Sequence, residues 1–233
     1  MTRRFVHYQL RTTDRAAARA FYTALLGGDF FGGAVSEAPL PERARSRGAP
    51  PHWLGQLATP NVAAAARRMV ADGGQLLGAA SPTVDDAMTV TIRDPFGAVL
   101  SLAPAAAAPA REPVAWHLLH TRDEAAAFAL YAELFDWEAR EVLDLGPERG
   151  RHRTFGWDDA ARPVGGIANT ARPPAIHPQW LFYFPVDDLT AALARVRSLG
   201  GLAIGPIELP TGELVAACDD PQGAAFGLWQ GRR

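Results

Sequence analysis

Lysine is missing altogether: the 23 basic residues are all arginine, set against 25 acidic ones. The formal net charge of -2 leaves no basic footprint, so nucleic acid is not an expected partner. There is a single cysteine, Cys218, which excludes an internal disulfide framework and suits a reducing, cytoplasmic setting. It reads as a small buried hydrophobe on a strand rather than as a reactive thiol. No apolar run is long enough to span a bilayer, and the N-terminus lacks the apolar core of a signal peptide, so no membrane association is expected. A His-Glu-x-x-His pair, a cysteine cluster, a Gly-x-Ser-x-Gly elbow and a phosphate-binding loop are also lacking, and no nucleophile with its base stands out.

What is present is an ordinary globular composition, 48% hydrophobic and 21% charged, in 233 residues that can hold one large or two small domains. One stretch occurs twice, as Asp94-Pro95-Phe96-Gly97-Ala98 and Asp220-Pro221-Gln222-Gly223-Ala224. Each copy lies between two β-rich runs. Asp-Pro-x-Gly there is turn chemistry, with proline presetting φ and glycine able to take φ above zero.

The order around the two turns also repeats. A strand from Phe5 to Thr12 leads to a helix capped near Asp14, with Ala18, Phe21, Tyr22 and Leu25 as its apolar stripe. A short run follows near Phe30 to Val35, then a polar loop from Ser36 to Pro51. A strand from Trp53 to Ala58 and a helix from Asn61 to Ala71 precede the first turn. Residues 105–112, rich in alanine and proline, read as a linker between domains at 1–104 and 113–233. Beyond it, Val114 to Thr121 is a strand and Asp123 to Phe135 a helix with Phe128, Tyr131 and Leu134 on its apolar side. Strands are expected near 139–143, 152–157, 164–168 and 180–186. A helix capped by Asp188 precedes the second turn.

Spacing shows where the copies differ. His7 pairs with Trp116 at an offset of 109, and Gly32-Gly33 with Gly165-Gly166 at 133, so the first copy lacks 24 residues (133 minus 109) after its first helix. That is about the length of a two-stranded hairpin. The first domain is therefore expected to have lost two strands, leaving its cavity more open.

This β-α-β-β-β order, run twice per domain, resembles the vicinal oxygen chelate superfamily of glyoxalase I, bleomycin-resistance proteins and extradiol dioxygenases. Asp14 with Phe21-Tyr22, Gly73-Gly74, Asp123 with Tyr131, Gly165-Gly166-Ile167, Val186-Asp187-Asp188, Gly200-Gly201 and both Asp-Pro-x-Gly-Ala turns carry the likeness. The closing Phe226-Gly227-Leu228-Trp229-Gln230 is similar to actinobacterial two-domain members often labelled hydroxylase or glyoxalase/bleomycin-resistance protein. The resemblance implies an α+β fold. It would consist of two tandem glyoxalase-like domains, each of paired βαβββ modules forming a cupped mixed sheet with helices outside.

The resemblance also implies metal positions, which fall on His7, Leu54 and Ser101 in the first half and on Trp116, Leu181 and Gly227 in the second. Only His7 is a good donor, so no metal and no other cofactor is expected. His117 and His120 are three apart on a strand and point to opposite faces. A cavity lining remains. The period of two sets His7, Gln9 and Arg11 side by side, with Gln56 and Ser101 facing them. In the second domain the inward positions are Trp116, Leu118, His120, Leu181, Tyr183 and Trp229.

A metal-free protein that binds, and sequesters, a drug-like or natural-product small molecule fits this lining. The alternatives are a superfamily enzyme (lyase, hydroxylase or dioxygenase type) lacking the usual metal site, and a structural or regulatory interaction protein. The domains are expected to pair within the chain, with a homodimer as the further assembly open to it.

Overall fold

The structure is a computed structural model that describes residues 3–78, 81–82, 88–105, 109, 112–157, 160–172 and 175–232. The chain runs β1 (Phe5–Thr12), α1 (Arg15–Leu26), β2 (Val35–Pro39), α2 (Glu42–Arg45), β3 (His52–Thr59), α3 (Val62–Ala71), β4 (Gln75–Leu76), β5 (Ser81–Pro82), β6 (Met88–Arg93) and β7 (Val99–Pro104). It continues β8 (Trp116–His120), α4 (Glu124–Phe135), β9 (Glu138–Asp144), α5 (Gly146–Arg149), β10 (Arg151–Gly156), β11 (Gly165–Ala168), β12 (Gln179–Pro185), α6 (Leu189–Ser198), β13 (Leu202–Glu208), β14 (Leu214–Asp219) and β15 (Ala225–Gln230). The strands form two mixed sheets, one of seven strands ordered β2-β1-β3-β7-β6-β4 with β5 on β6. The other has eight, ordered β13-β14-β15-β12-β8-β11-β10-β9. Among the described residues no helix is long and apolar enough to cross a membrane.

Helix starts fall where the sequence places them, because short polar side chains satisfy otherwise unpaired N–H groups. Asp14, Asp123 and Asp188 accept from the backbone N–H groups of Ala17, Ala126 and Ala191, and Asn61 does the same for Ala64.

Several expectations need correction. Residues 36–51 are not simply a loop, since they contain most of β2 and all of α2. The short run near Phe30 to Val35 enters β2 only at Val35: Phe30 stacks on Tyr22 at 5.6 Å and meets Phe184 edge-on at 5.0 Å. Register also moves the repeat. Tyr8 lies beside Val35 in the parallel pair β1–β2, whereas His117 lies beside Gly165 in β8–β11. Val35 therefore corresponds to Gly165 at an offset of 130, and the first half lacks 21 residues (130 minus 109). The hairpin β9–β10 is the piece without a counterpart. On α4 the buried stripe is Ala127, Leu130, Tyr131 and Phe135, while Phe128 sits 5.6 Å beneath the Arg153 guanidinium. The expected linker lies mostly outside the described residues.

The chain divides into two compact units, each gathered from separate stretches. The first comprises residues 1–6, 55–108 and 117–180, and the second residues 7–54, 109–116 and 181–233. The first unit centres on Trp137, stacked on Phe155 at 4.3 Å and surrounded by Phe5, Tyr131, Trp157 and Trp180. The second centres on Tyr22, with Phe21, Phe30, Trp53 and Phe226 around it.

Each unit also contains a buried polar relay that explains the repeated turn. In the first, Asp94 Oδ1 accepts from the N–H groups of Phe96 and Ala98, closing a turn in which Gly97 takes φ of 103°. Its Oδ2 accepts from the Tyr131 hydroxyl at 2.8 Å, and Trp180 Nε1 donates to that hydroxyl at 3.2 Å. The second unit repeats this with Asp220, Tyr22 and Trp53: Tyr22 donates to Asp220 at 3.2 Å and Trp53 donates to Tyr22 at 3.0 Å. One carboxylate thus shapes the hairpin and ties it to a helix, and no buried polar atom of the relay goes unpaired.

Candidate functional site

Directly paired residues on neighbouring strands project to the same face, so the registers can be read as rows across the second unit. One row runs Tyr183, Gly227, Ala217 and Ile204, and the next runs Trp229, Val215 and Ile207. Trp116, at the start of β8, stacks on Trp229 with ring centres 5.3 Å apart and planes within 16°. Tyr183 meets Trp229 edge-on at 6.5 Å. Its ring lies across Gly227, where an added Cβ would run into it. Burial holds the Tyr183 phenol well above its ordinary pKa, so it stays neutral. Trp116 and Trp229 are only half-buried, and Ile204 is 72% exposed. The result is an apolar, largely aromatic face with ring surface open to solvent.

The alternation expected on β1 is seen. Tyr8, Leu10 and Thr12 are buried, while His7, Gln9 and Arg11 are half-buried on the opposite side. His7 Nε2 lies 2.7 Å from Ser36 Oγ, and Gln9 Nε2 donates to the same hydroxyl at 3.3 Å. Burial lowers the pKa of both His7 and Arg11. His52, which the sequence reading passed over, also belongs to this unit. Its Nδ1 lies 2.8 Å from the Pro50 carbonyl oxygen, and burial together with the charge of Arg11 lowers its pKa. It stands two residues before Leu54, so the same period of two that grouped His7 with Arg11 would have singled it out.

The remaining predicted residues belong to the first unit. His120 Nδ1 lies 2.6 Å from Thr170 Oγ1, and burial, with His152 nearby, takes its pKa down to about 4. Ala168 registers with both His120 and His152, which share a face. His117 points the other way, stacked on Phe5 at 5.3 Å with its Nδ1 2.9 Å from the Val164 carbonyl oxygen, and burial lowers its pKa to about 3. Gln56 registers with Ser101, and Ser101 with Thr91; the two hydroxyl oxygens are 3.0 Å apart. Trp116, Tyr183, Trp229, His7, Gln9 and Arg11 therefore belong to one unit, and His120, Gln56 and Ser101 to the other. Thr91, Thr170 and Ser36 carry no motif that would have identified them as partners.

At the six positions implied for a metal, His7 bonds Ser36, Ser101 bonds Thr91, and Trp116 stacks on Trp229. Leu54 and Leu181 are buried, and Gly227 underlies Tyr183. Among the described residues no three histidine, cysteine, aspartate or glutamate side chains come together in a way that could hold a metal ion.

Two mixed sheets built from repeated strand–helix–strands modules define the class. The profile of the Glyoxalase/Bleomycin resistance protein/Dioxygenase superfamily matches residues 4–102 and again 114–228, and the chain belongs to that superfamily. It is 30% identical over 244 residues to CFP32 of Mycobacterium bovis, a protein provisionally called a glyoxylase, covering 94% of this chain and 91% of that one. Over 131 residues it is 34% identical to the anthracycline biosynthesis protein DnrV of Streptomyces peucetius, which is 50% of this chain and 46% of DnrV. Its fold is similar to the 2,3-dioxygenase LapB from Pseudomonas sp. KL28, with a TM-score of 0.64 at 14% identity over 100% of this chain and 94% of LapB. At that identity the likeness is one of fold.

Proposed function

We propose that the protein binds a flat, partly aromatic small molecule on the Trp116–Tyr183–Trp229 face and does so without a divalent metal. The stacked, half-exposed Trp116–Trp229 pair carries the reading. A planar ligand laid on that pair gains stacking of roughly 0.5–1.5 kcal/mol per aromatic contact beyond the area it buries. Apolar walls with a few polar groups are the usual make-up of a small-molecule site. The residues at the superfamily's metal positions do not fit such an ion. Leucine and glycine bring no donor, the Ser101 hydroxyl is spent on Thr91, and Tyr183 occupies the space a side chain at 227 would need. Sequestration of a drug-like or natural-product ligand is the function that follows. The name of DnrV points to polycyclic aromatic chemistry as the first ligand class to try.

The same names favour a second reading, an enzyme of the superfamily that turns over such a compound without the usual metal. Fluorescence titration with an anthracycline aglycone tests the binding. The expected result is saturable quenching that weakens at least tenfold in Trp116→Ala. Equal affinity in that variant overturns the assignment, and conversion of the aglycone by the purified protein selects the enzyme.

A further inference from the structure

We propose that the half-buried face of β1 around Arg11 is a second binding site, one that takes an organic carboxylate. The inference is independent of the aromatic face. Several arginines are matched by carboxylates: Arg15 and Arg19 pair with the buried Glu37, Arg68 with Asp72 and Glu133, and Arg153 with the buried Glu124. Arg11 is different. It is half-buried, its guanidinium is desolvated, and no carboxylate pairs with it among the described residues. His52 is close enough for the charge of Arg11 to oppose a positive charge on its ring. A cation held partly out of water without a counter-ion costs stability, so the fold keeps an expense that a bound anion would offset.

The surroundings suit that anion. Ala38 is the residue directly beside Arg11 on β2, so no long side chain from that position fills the space. Gln9 and His7, on the same face, are held in place by their shared contact with Ser36. His52 is oriented by the Pro50 carbonyl oxygen. Arginine's planar fork matches the two oxygens of a carboxylate, giving two parallel charge-assisted hydrogen bonds. A single flat cation flanked by polar, uncharged groups therefore selects a lone carboxylate on an organic body.

Benzoate is the probe, with benzyl alcohol as its neutral counterpart and inorganic phosphate as competitor. Histidine ring resonances of the full chain are followed by NMR, with His52 and His7 assigned from His52→Gln and His7→Gln. Benzoate is expected to shift the His52 resonance saturably and benzyl alcohol is not. Arg11→Gln is expected to weaken benzoate at least tenfold while its urea midpoint equals or exceeds that of the wild type. Trp116→Ala is expected to leave benzoate binding intact, which keeps this site separate from the aromatic one. The proposal is overturned by unchanged benzoate affinity in Arg11→Gln, by equal binding of benzyl alcohol, or by phosphate competing as tightly as benzoate. A lower urea midpoint in Arg11→Gln overturns it as well, because Arg11 would then be structural.

Discussion

Removing one oxygen from the relay in the first unit tests the account of what the repeated turn is for. Tyr131→Phe keeps the fully buried ring and its contacts but leaves two groups without their shared partner, Asp94 Oδ2 and Trp180 Nε1. A buried group deprived of its hydrogen bond costs about 1–3 kcal/mol, so the pair predicts a loss of roughly 2–6 kcal/mol at pH 7. That is a large share of the 5–15 kcal/mol typical of a folded domain. Urea unfolding followed by far-ultraviolet circular dichroism gives the number, and a loss below about 0.5 kcal/mol refutes the reasoning.

The pH dependence supplies a second reading of the same relay. Burial raises the Asp94 carboxyl from 3.8 to about 6, although the Tyr131 hydroxyl and the turn N–H groups pull it down. The protonated carboxyl is thus favoured by folding. Its contribution is fully present below about pH 3.8 and is lost as the pH rises through about 6. The whole contribution is about 3 kcal/mol, of which about 1 kcal/mol falls between pH 5 and pH 7. Asp94→Asn should flatten that part of the stability profile. In Tyr131→Phe the carboxyl loses a hydrogen bond to its charged form and titrates higher still. The destabilisation should therefore be smaller at pH 5 than at pH 7, and an equal loss at both counts against the relay as described.

Other outcomes follow from the same structure. After incubation with zinc, nickel, iron or manganese and desalting, the protein should retain far less than one metal per chain; near-stoichiometric metal that disappears in His7→Ala would contradict the metal-free reading. Residues 1–104 and 113–233 expressed separately should be poorly folded, because each half alone lacks Asp220 for Tyr22 or Asp94 for Tyr131; two stable, monomeric halves would contradict this. Burial pushes the Cys218 thiol up to about 12, so a thiol reagent at pH 8 should label it only as fast as the protein unfolds.

Local chemistry was legible in the sequence, and distant pairing was not. Asp14, Asn61, Asp123 and Asp188 cap helices because capping needs only the next three residues. The faces of β1 could be read because a strand alternates with a fixed period. The position of β2 could not, since Gly32-Gly33 was a better local match to Gly165-Gly166 than Val35, and only register with Tyr8 settles the correspondence. Among the site residues, His52 was within reach of the same periodicity, but Thr170 lies just past β11, where nothing in the composition marks it as the partner of His120. The two turns show the limit most sharply. Asp94 and Asp220 have identical local roles, so the chain reads as a tandem duplication. Yet Tyr22 finds its carboxylate 198 residues away, while Tyr131 finds its own 37 residues upstream. Identical local chemistry leaves the choice of partner to packing. That is why the repeat follows the order of the chain, whereas the compact units draw on both halves of it.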